Sequence, residues 1–153
     1  ITNQSVAAVW QVPIPFPLTA SVITVLSGNA VGTGGTLDFT LYRESGASSV
    51  FTVTTPTISA AYTTYRAYLS STTGIDAGNY YAMANTNAAA NFNIVGWDTE
   101  ASVYGRLGNV DGEPVINGTY VIAGGSPPTS IVTTAITSVA TGQVNNLFFR
   151  IDG

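Results

Sequence analysis

Thr36-Leu37-Asp38-Phe39-Thr40-Leu41-Tyr42-Arg43-Glu44 alternates along its whole length. Leu37, Phe39 and Leu41 face one way, and Asp38, Thr40 and Tyr42 the other, which is the two-residue period of a β-strand. The turn Ser45-Gly46-Ala47-Ser48 follows, and Val50 to Thr55 is placed to return beside the first strand as a hairpin. Short β-branched and aromatic runs bounded by Gly, Pro, Asn and Ser recur on both sides of this hairpin. They are Val6 to Val12, Ala20 to Ser27, Thr63 to Ser71 (with Tyr65, Ala67 and Leu69 on one face), Asn79 to Asn85, Phe92 to Trp97, Tyr120 to Ala123, Ile131 to Val139 and Asn146 to Ile151. Gly28 to Gly35 holds four glycines and reads as a loop. Gly124-Gly125-Ser126-Pro127-Pro128 is a breaker cluster. No window keeps a helical period, and Ala88-Ala89-Ala90 is too short and too Asn-flanked for a helix.

Nine or ten strands at this spacing predict an all-β fold, a two-sheet antiparallel sandwich of the jelly-roll type. An immunoglobulin-like sandwich has the same strand spacing and is the rival. The 153 residues suit one domain. We place it over residues 5–153, with residues 1–17 as an extended N-terminal arm or first strand. In that arm the alternating prolines of Pro13-Ile14-Pro15-Phe16-Pro17 suit an edge segment or strand entry.

Composition narrows the chemistry. The chain has no Cys, His or Lys, only four Arg against eight Asp or Glu, and a net charge of −4. Thiol nucleophiles, Cys or His metal sites, Ser-His triads and Lys Schiff bases are excluded. Without a basic cluster there is no nucleic-acid footprint. No run approaches the length of a membrane span, and no signal-peptide pattern is visible. The chain opens on Ile1 rather than Met, which points to a processed or trimmed product. Charged residues are only 8% of the chain while Ser and Thr number 35, a surface typical of extracellular and virion-surface proteins. The expectation is therefore a binding or structural module without cofactor or catalysis.

Five residue sets carry possible chemistry. Asp98, Glu100, Asp111 and Glu113 are spaced as two i, i+2 pairs, and paired carboxylates are the apparatus of glycoside hydrolysis. A solvated acidic loop is the plainer reading, because nothing in the sequence marks one carboxyl for the raised pKa a general acid needs. Asn109, Asp111 and Glu113 supply alternating oxygen ligands around Gly112 and are the candidate cation site, with an Asx-Gly turn as the plainer reading. Trp10, Trp97, Tyr104 and the Tyr80-Tyr81 pair are candidates for stacking on sugar rings, set against burial in a core or interface. Trp97 and Asp98 stand at a strand end, where loops carry function. Arg43, Arg66, Arg106 and Arg150 are the only cations. Arg150 with Asp152, and Arg43 with Glu44, are not expected to pair within one strand face, so cross-strand or cross-subunit partners are expected, with Arg106 between subunits. Asn3-Gln4-Ser5 and Asn117-Gly118-Thr119 fit the glycosylation acceptor pattern.

The order of features resembles a group of tailed-phage virion domains from tail fibres and head decorations. The matching segments are Pro15-Phe16-Pro17, then Gly35-Thr36-Leu37-Asp38-Phe39-Thr40-Leu41-Tyr42, then Ala77-Gly78-Asn79-Tyr80-Tyr81-Ala82-Met83-Ala84. The resemblance spans roughly residues 5 to 97 and the last strand. Ser45-Gly46-Ala47 replaces the Pro-Gly turn common in that group. The resemblance implies a non-catalytic jelly roll, usually trimeric, on a phage particle, with self and other virion or fibre subunits as partners. Pro13, Pro15 and Phe16 would then contact a neighbour. Two alternatives stand beside it: a carbohydrate or receptor module using Trp97, Asp98, Tyr104 and Arg106, and a pilus-like extracellular fibre subunit assembled by strand donation.

Overall fold

The structure is a computed structural model that describes residues 6–45, 47–86, 91–94, 96–97, 117–122, 125–138, 146–147 and 149–153. It is a β-sandwich. One sheet has the order β10-β9-β1-β6-β3-β4, formed by Thr137–Ser138, Asn117–Val121, Val6–Ile14, Gly78–Thr86, Leu37–Arg43 and Ser49–Thr54. The other has the order β12-β2-β5, formed by Phe149–Asp152, Leu18–Gly34 and Thr64–Ile75, with β7 (Asn91–Ile94) paired to the far half of β2. Gly96–Trp97 (β8) and Asn146–Leu147 (β11) make a separate two-stranded ribbon.

The winding follows from three nested antiparallel pairs. β1 pairs with β6, β2 with β5, and β3 with β4. The first and third pairs lie in one sheet and the second in the other, joined by the β3–β6 ladder. This is one long hairpin rolled over on itself, the jelly-roll manner of closing a sandwich.

Between the sheets lies the main core. Leu37, Phe39 and Leu41 of β3 meet Trp10 of β1, Tyr80, Ala82 and Ala84 of β6, and Ile23, Val25 and Ala67 of the opposite sheet. Trp10 packs edge-on to Phe39 and to Phe149, with ring centres 6.1 and 6.0 Å away. Phe39 and Phe149 stand 4.7 Å apart. An edge-to-face cluster of this kind adds about 0.5–1.5 kcal/mol per pair beyond area burial.

β3 alternates, yet both of its faces are buried: every residue from Leu37 to Tyr42 is interior. β6 and the start of β1 are likewise buried on both sides. The outer side of the six-stranded sheet carries a second core of Ala7, Val9, Tyr42, Tyr81, Met83, Ile122 and Ile131, with Tyr120 and Ile136 against it. The segment from Gly125 to Ile136 supplies the cover. It bends at the Gly-Ser-Pro-Pro cluster, and its backbone takes bonds from the sheet beneath. The Tyr42 hydroxyl donates to the Pro128 carbonyl at 2.6 Å, Asn85 Nδ2 to the Gly125 carbonyl at 2.9 Å, and the Ser49 amide to the Thr129 carbonyl at 2.8 Å.

Two expectations are corrected. The loop expected at Gly28 to Gly35 is the second half of β2, whose register against β7 shifts twice between Ser27 and Gly34 and so absorbs extra residues as bulges. Gly34 holds φ +72, and a Cβ there would come 2.7 Å from the Ile58 carbonyl oxygen. The strand expected over Ile131 to Val139 is, in its described part, a cover with a 3₁₀ turn at Thr133–Ala135 and a two-residue strand. Within the segment read as an arm or first strand, residues 6–14 form β1: Val6 to Trp10 pair with β9 and Ala8 to Ile14 with β6. Among the described residues the β9 ladder ends opposite Trp10 and Pro13 pairs with Asn79 of β6 alone, which suits a residue that cannot donate on a second side.

Candidate functional site

The sequence candidates divide into three groups. Asp98, Glu100, Tyr104, Arg106, Asn109, Asp111 and Glu113 lie outside the described residues, as does Asn3. Trp97 is placed by its backbone alone, opposite Asn146 in the β8–β11 ribbon. The remaining aromatic candidates are not available to a ligand. Trp10, Tyr80 and Tyr81 are buried. Tyr80 and Tyr81 do point to opposite faces, but this doubly covered sheet has a core on each side. The acceptor triplet Asn117-Gly118-Thr119 lies in β9 between β1 and β10, not on the exposed loop that glycosylation favours.

Pro13 near the end of β1, and Pro15 and Phe16 in the β1–β2 turn, are exposed. Phe16, held between two prolines, is 68% exposed.

The two faces of the sandwich differ. The outer side of the six-stranded sheet is covered by residues 125–136, whereas no described segment covers the outer side of β12-β2-β5. Alternation along these strands turns Ile23, Val25, Ala67 and Ile151 inward and leaves Val22, Thr24, Leu26, Thr64, Arg66, Tyr68, Arg150 and Asp152 outward. Register then aligns them in rows. Arg150, Thr24 and Arg66 stand side by side on three neighbouring strands, and Asp152, Val22 and Tyr68 form the next row. On the other side of the arginine row, toward the Leu26–Thr64 pair, is a shallow depression of about 320 Å³, lined by Thr24, Val25, Leu26, Thr64, Arg66 and Arg150.

Charge on this face is uneven. Arg150 Nε lies 2.9 Å from the Asp152 carboxylate, and Thr24 Oγ1 donates to Asp152 Oδ2 at 3.4 Å. This overturns the expectation that Arg150 and Asp152 do not pair. Residues i and i+2 share a strand face about 6.8 Å apart, a gap the arginine stem spans. Among the described residues this is the only ion pair, and Arg66, exposed on β5, pairs with none of the described carboxylates. Two of the four cations of an acidic chain thus flank one threonine.

Three tyrosines have shifted acidities. Burial pushes the Tyr42 hydroxyl up to about 12. Tyr81 is also raised, by burial and then by the Glu44 charge. For Tyr65 desolvation pulls upward, but the amides of Ser59 and Ala60, each donating to its oxygen at 2.9 Å, outweigh it and lower it. None lies in the depression. Among the described residues no three Asp or Glu cluster as metal ligands, and no helix is long and apolar enough to cross a membrane. Asp38 accepts the Thr54 hydroxyl at 2.6 Å, Glu44 receives Asn79 at 3.4 Å, and Asp152 is engaged by Arg150. The chemistry this outer face offers is recognition through guanidinium, hydroxyl and aromatic groups.

Comparisons with protein families, with curated proteins and with solved structures gave no match. The resemblance to phage virion domains therefore rests on the sequence motifs alone.

The arginine row escaped sequence reasoning. Period-two alternation puts Thr64, Arg66 and Tyr68 on one face, but which strands lie beside that face, and in what register, is set by pairings over 40 to 130 positions apart.

Proposed function

We propose that this chain is a non-enzymatic structural module of a virion, of the head-decoration or tail-fibre type. It acts at the virion surface or outside the cell. It self-associates as a homotrimer and binds neighbouring virion subunits.

The observation that carries this reading is Phe16. A large aromatic side chain stands out from a turn whose two flanking prolines fix the backbone, so little conformational entropy is lost when a neighbour covers it. Exposed, rigid aromatic groups seated in a partner's pocket are what dominate interface energies. The sparse charge supports the same reading, since charged residues are depleted at the cores of subunit interfaces. The strand-donation alternative draws no support from β1, which fills the gap between β6 and β9 of its own sheet.

Light scattering on the full chain in dilute buffer tests the proposal. The expected mass is that of three chains, falling toward one chain in Phe16→Ala, whose exposed position leaves the melting temperature of the fold unchanged. A monomeric full chain overturns the self-association reading. A trimer indifferent to Phe16→Ala overturns Phe16 as its anchor.

A further inference from the structure

The outer face of the three-stranded sheet has the makings of a binding site. Arg150 and Arg66 project from β12 and β5 on either side of Thr24, at matched register. Two strand spacings set their Cα atoms about 10 Å apart. Guanidinium groups are planar forks that take a carboxylate through two parallel N–H···O bonds. Arg150 is already partly satisfied by Asp152, so Arg66 is the stronger anion donor of the two. Hydroxyls of Thr24 and Thr64 line the same depression. Tyr68, 68% exposed, offers a ring in the adjacent row.

We propose that this face binds a carboxylate-bearing sugar. Arg66 takes the carboxylate, Arg150 closes on it from the other side, Thr24 and Thr64 meet ring hydroxyls, and Tyr68 packs against the face of a neighbouring sugar. The alternative ligand of the same charge is an acidic peptide. The depression favours the sugar: about 320 Å³ is at the small end of ligand sites and suits a ring-sized unit rather than an extended peptide. Charge complementarity favours an anion, because these are two of only four cations in a chain of net charge −4. This inference is independent of the assembly reading and holds for a monomer and a trimer alike.

Isothermal titration of the full-length chain tests it with three probes: trigalacturonic acid, its methyl ester and triglutamate. The acid is expected to bind and the ester, which keeps the rings and loses the charges, is expected to fail. Arg66→Gln is expected to weaken binding of the acid by about tenfold, the size of one charge-assisted bond. Arg150→Gln is expected to weaken it less. Both positions are exposed, so the melting temperature is the control that folding is intact. Equal binding of acid and ester, unchanged affinity in Arg66→Gln with the fold intact, or no binding of the acid at all overturns the proposal. Triglutamate binding as tightly as the sugar overturns it in favour of an acidic peptide.

Discussion

The Tyr42 hydroxyl reaches across 86 positions of sequence to donate a 2.6 Å hydrogen bond to the Pro128 carbonyl. It also lies 3.7 Å from the Met83 sulfur. Tyr42 is fully buried although it lies on the side of β3 opposite Leu37, Phe39 and Leu41. The bond joins the outer side of the sheet to the segment that covers it. It helps hold residues 125–136 over this face of the sandwich, whereas no described segment covers the outer side of β12-β2-β5.

Tyr42→Phe keeps the ring and removes only the donor, leaving the Pro128 carbonyl without that bond. A loss of about 1–2 kcal/mol in urea unfolding is expected. Amide exchange should locate it. The Ser49 amide, which donates to Thr129 beside Pro128, is expected to exchange faster, while amides in the β3–β6 ladder keep their protection. Uniform acceleration across both sites would show that the cover and sheet open as one unit.

Alkali should release the same contact. A tyrosine in an unfolded chain titrates near 10, and burial raises Tyr42 to about 12. The folded state therefore holds the proton more tightly than the unfolded state does. The stability from neutral Tyr42 is complete below pH 10 and is lost as pH rises toward about 12. Tyr81, raised by burial and by Glu44, acts in the same direction. Unfolding midpoints measured from pH 9 upward are expected to fall, and to fall less steeply in Tyr42→Phe. A flat profile through this range would contradict the burial assigned to Tyr42.

Gly34→Ala tests the long β2 strand. Its φ of +72 disfavours any Cβ, and that Cβ would meet the Ile58 carbonyl oxygen at 2.7 Å. Neighbouring Gly35 exchanges backbone bonds with Ile58 at 2.7 and 3.2 Å, so the contact has little room to relax. A destabilisation of about 1–3 kcal/mol is expected from chemical denaturation. Gly74, whose Cβ would meet nothing within 4 Å, is the control: its alanine variant should unfold within about 0.5 kcal/mol of the parent.

Local signals in this sequence carry the fold class. The period of residues 36–44, the breaker spacing and the lack of helical periodicity follow from backbone geometry that neighbours along the chain report. Leu37, Phe39 and Leu41 face the main core as their alternation requires, and Tyr65, Ala67 and Leu69 do the same from the opposite sheet. Composition likewise excludes whole classes of catalysis, because a residue type absent from the chain is absent from every fold of it.

Tertiary structure decided the rest. Asp38, Thr40 and Tyr42 are polar or amphipathic, yet they are buried. Their polar groups are satisfied there by the hydroxyls of Thr52 and Thr54 and the backbone carbonyl of Pro128. Polar residues can be interior when long-range bonds satisfy them, and no local period records whether such partners will arrive. For the same reason Arg66 and Arg150, 84 positions apart, became one site only when β5 and β12 took their places on either side of β2. Periodicity assigns each side chain a face of its own strand; only register and sheet order decide what that face meets.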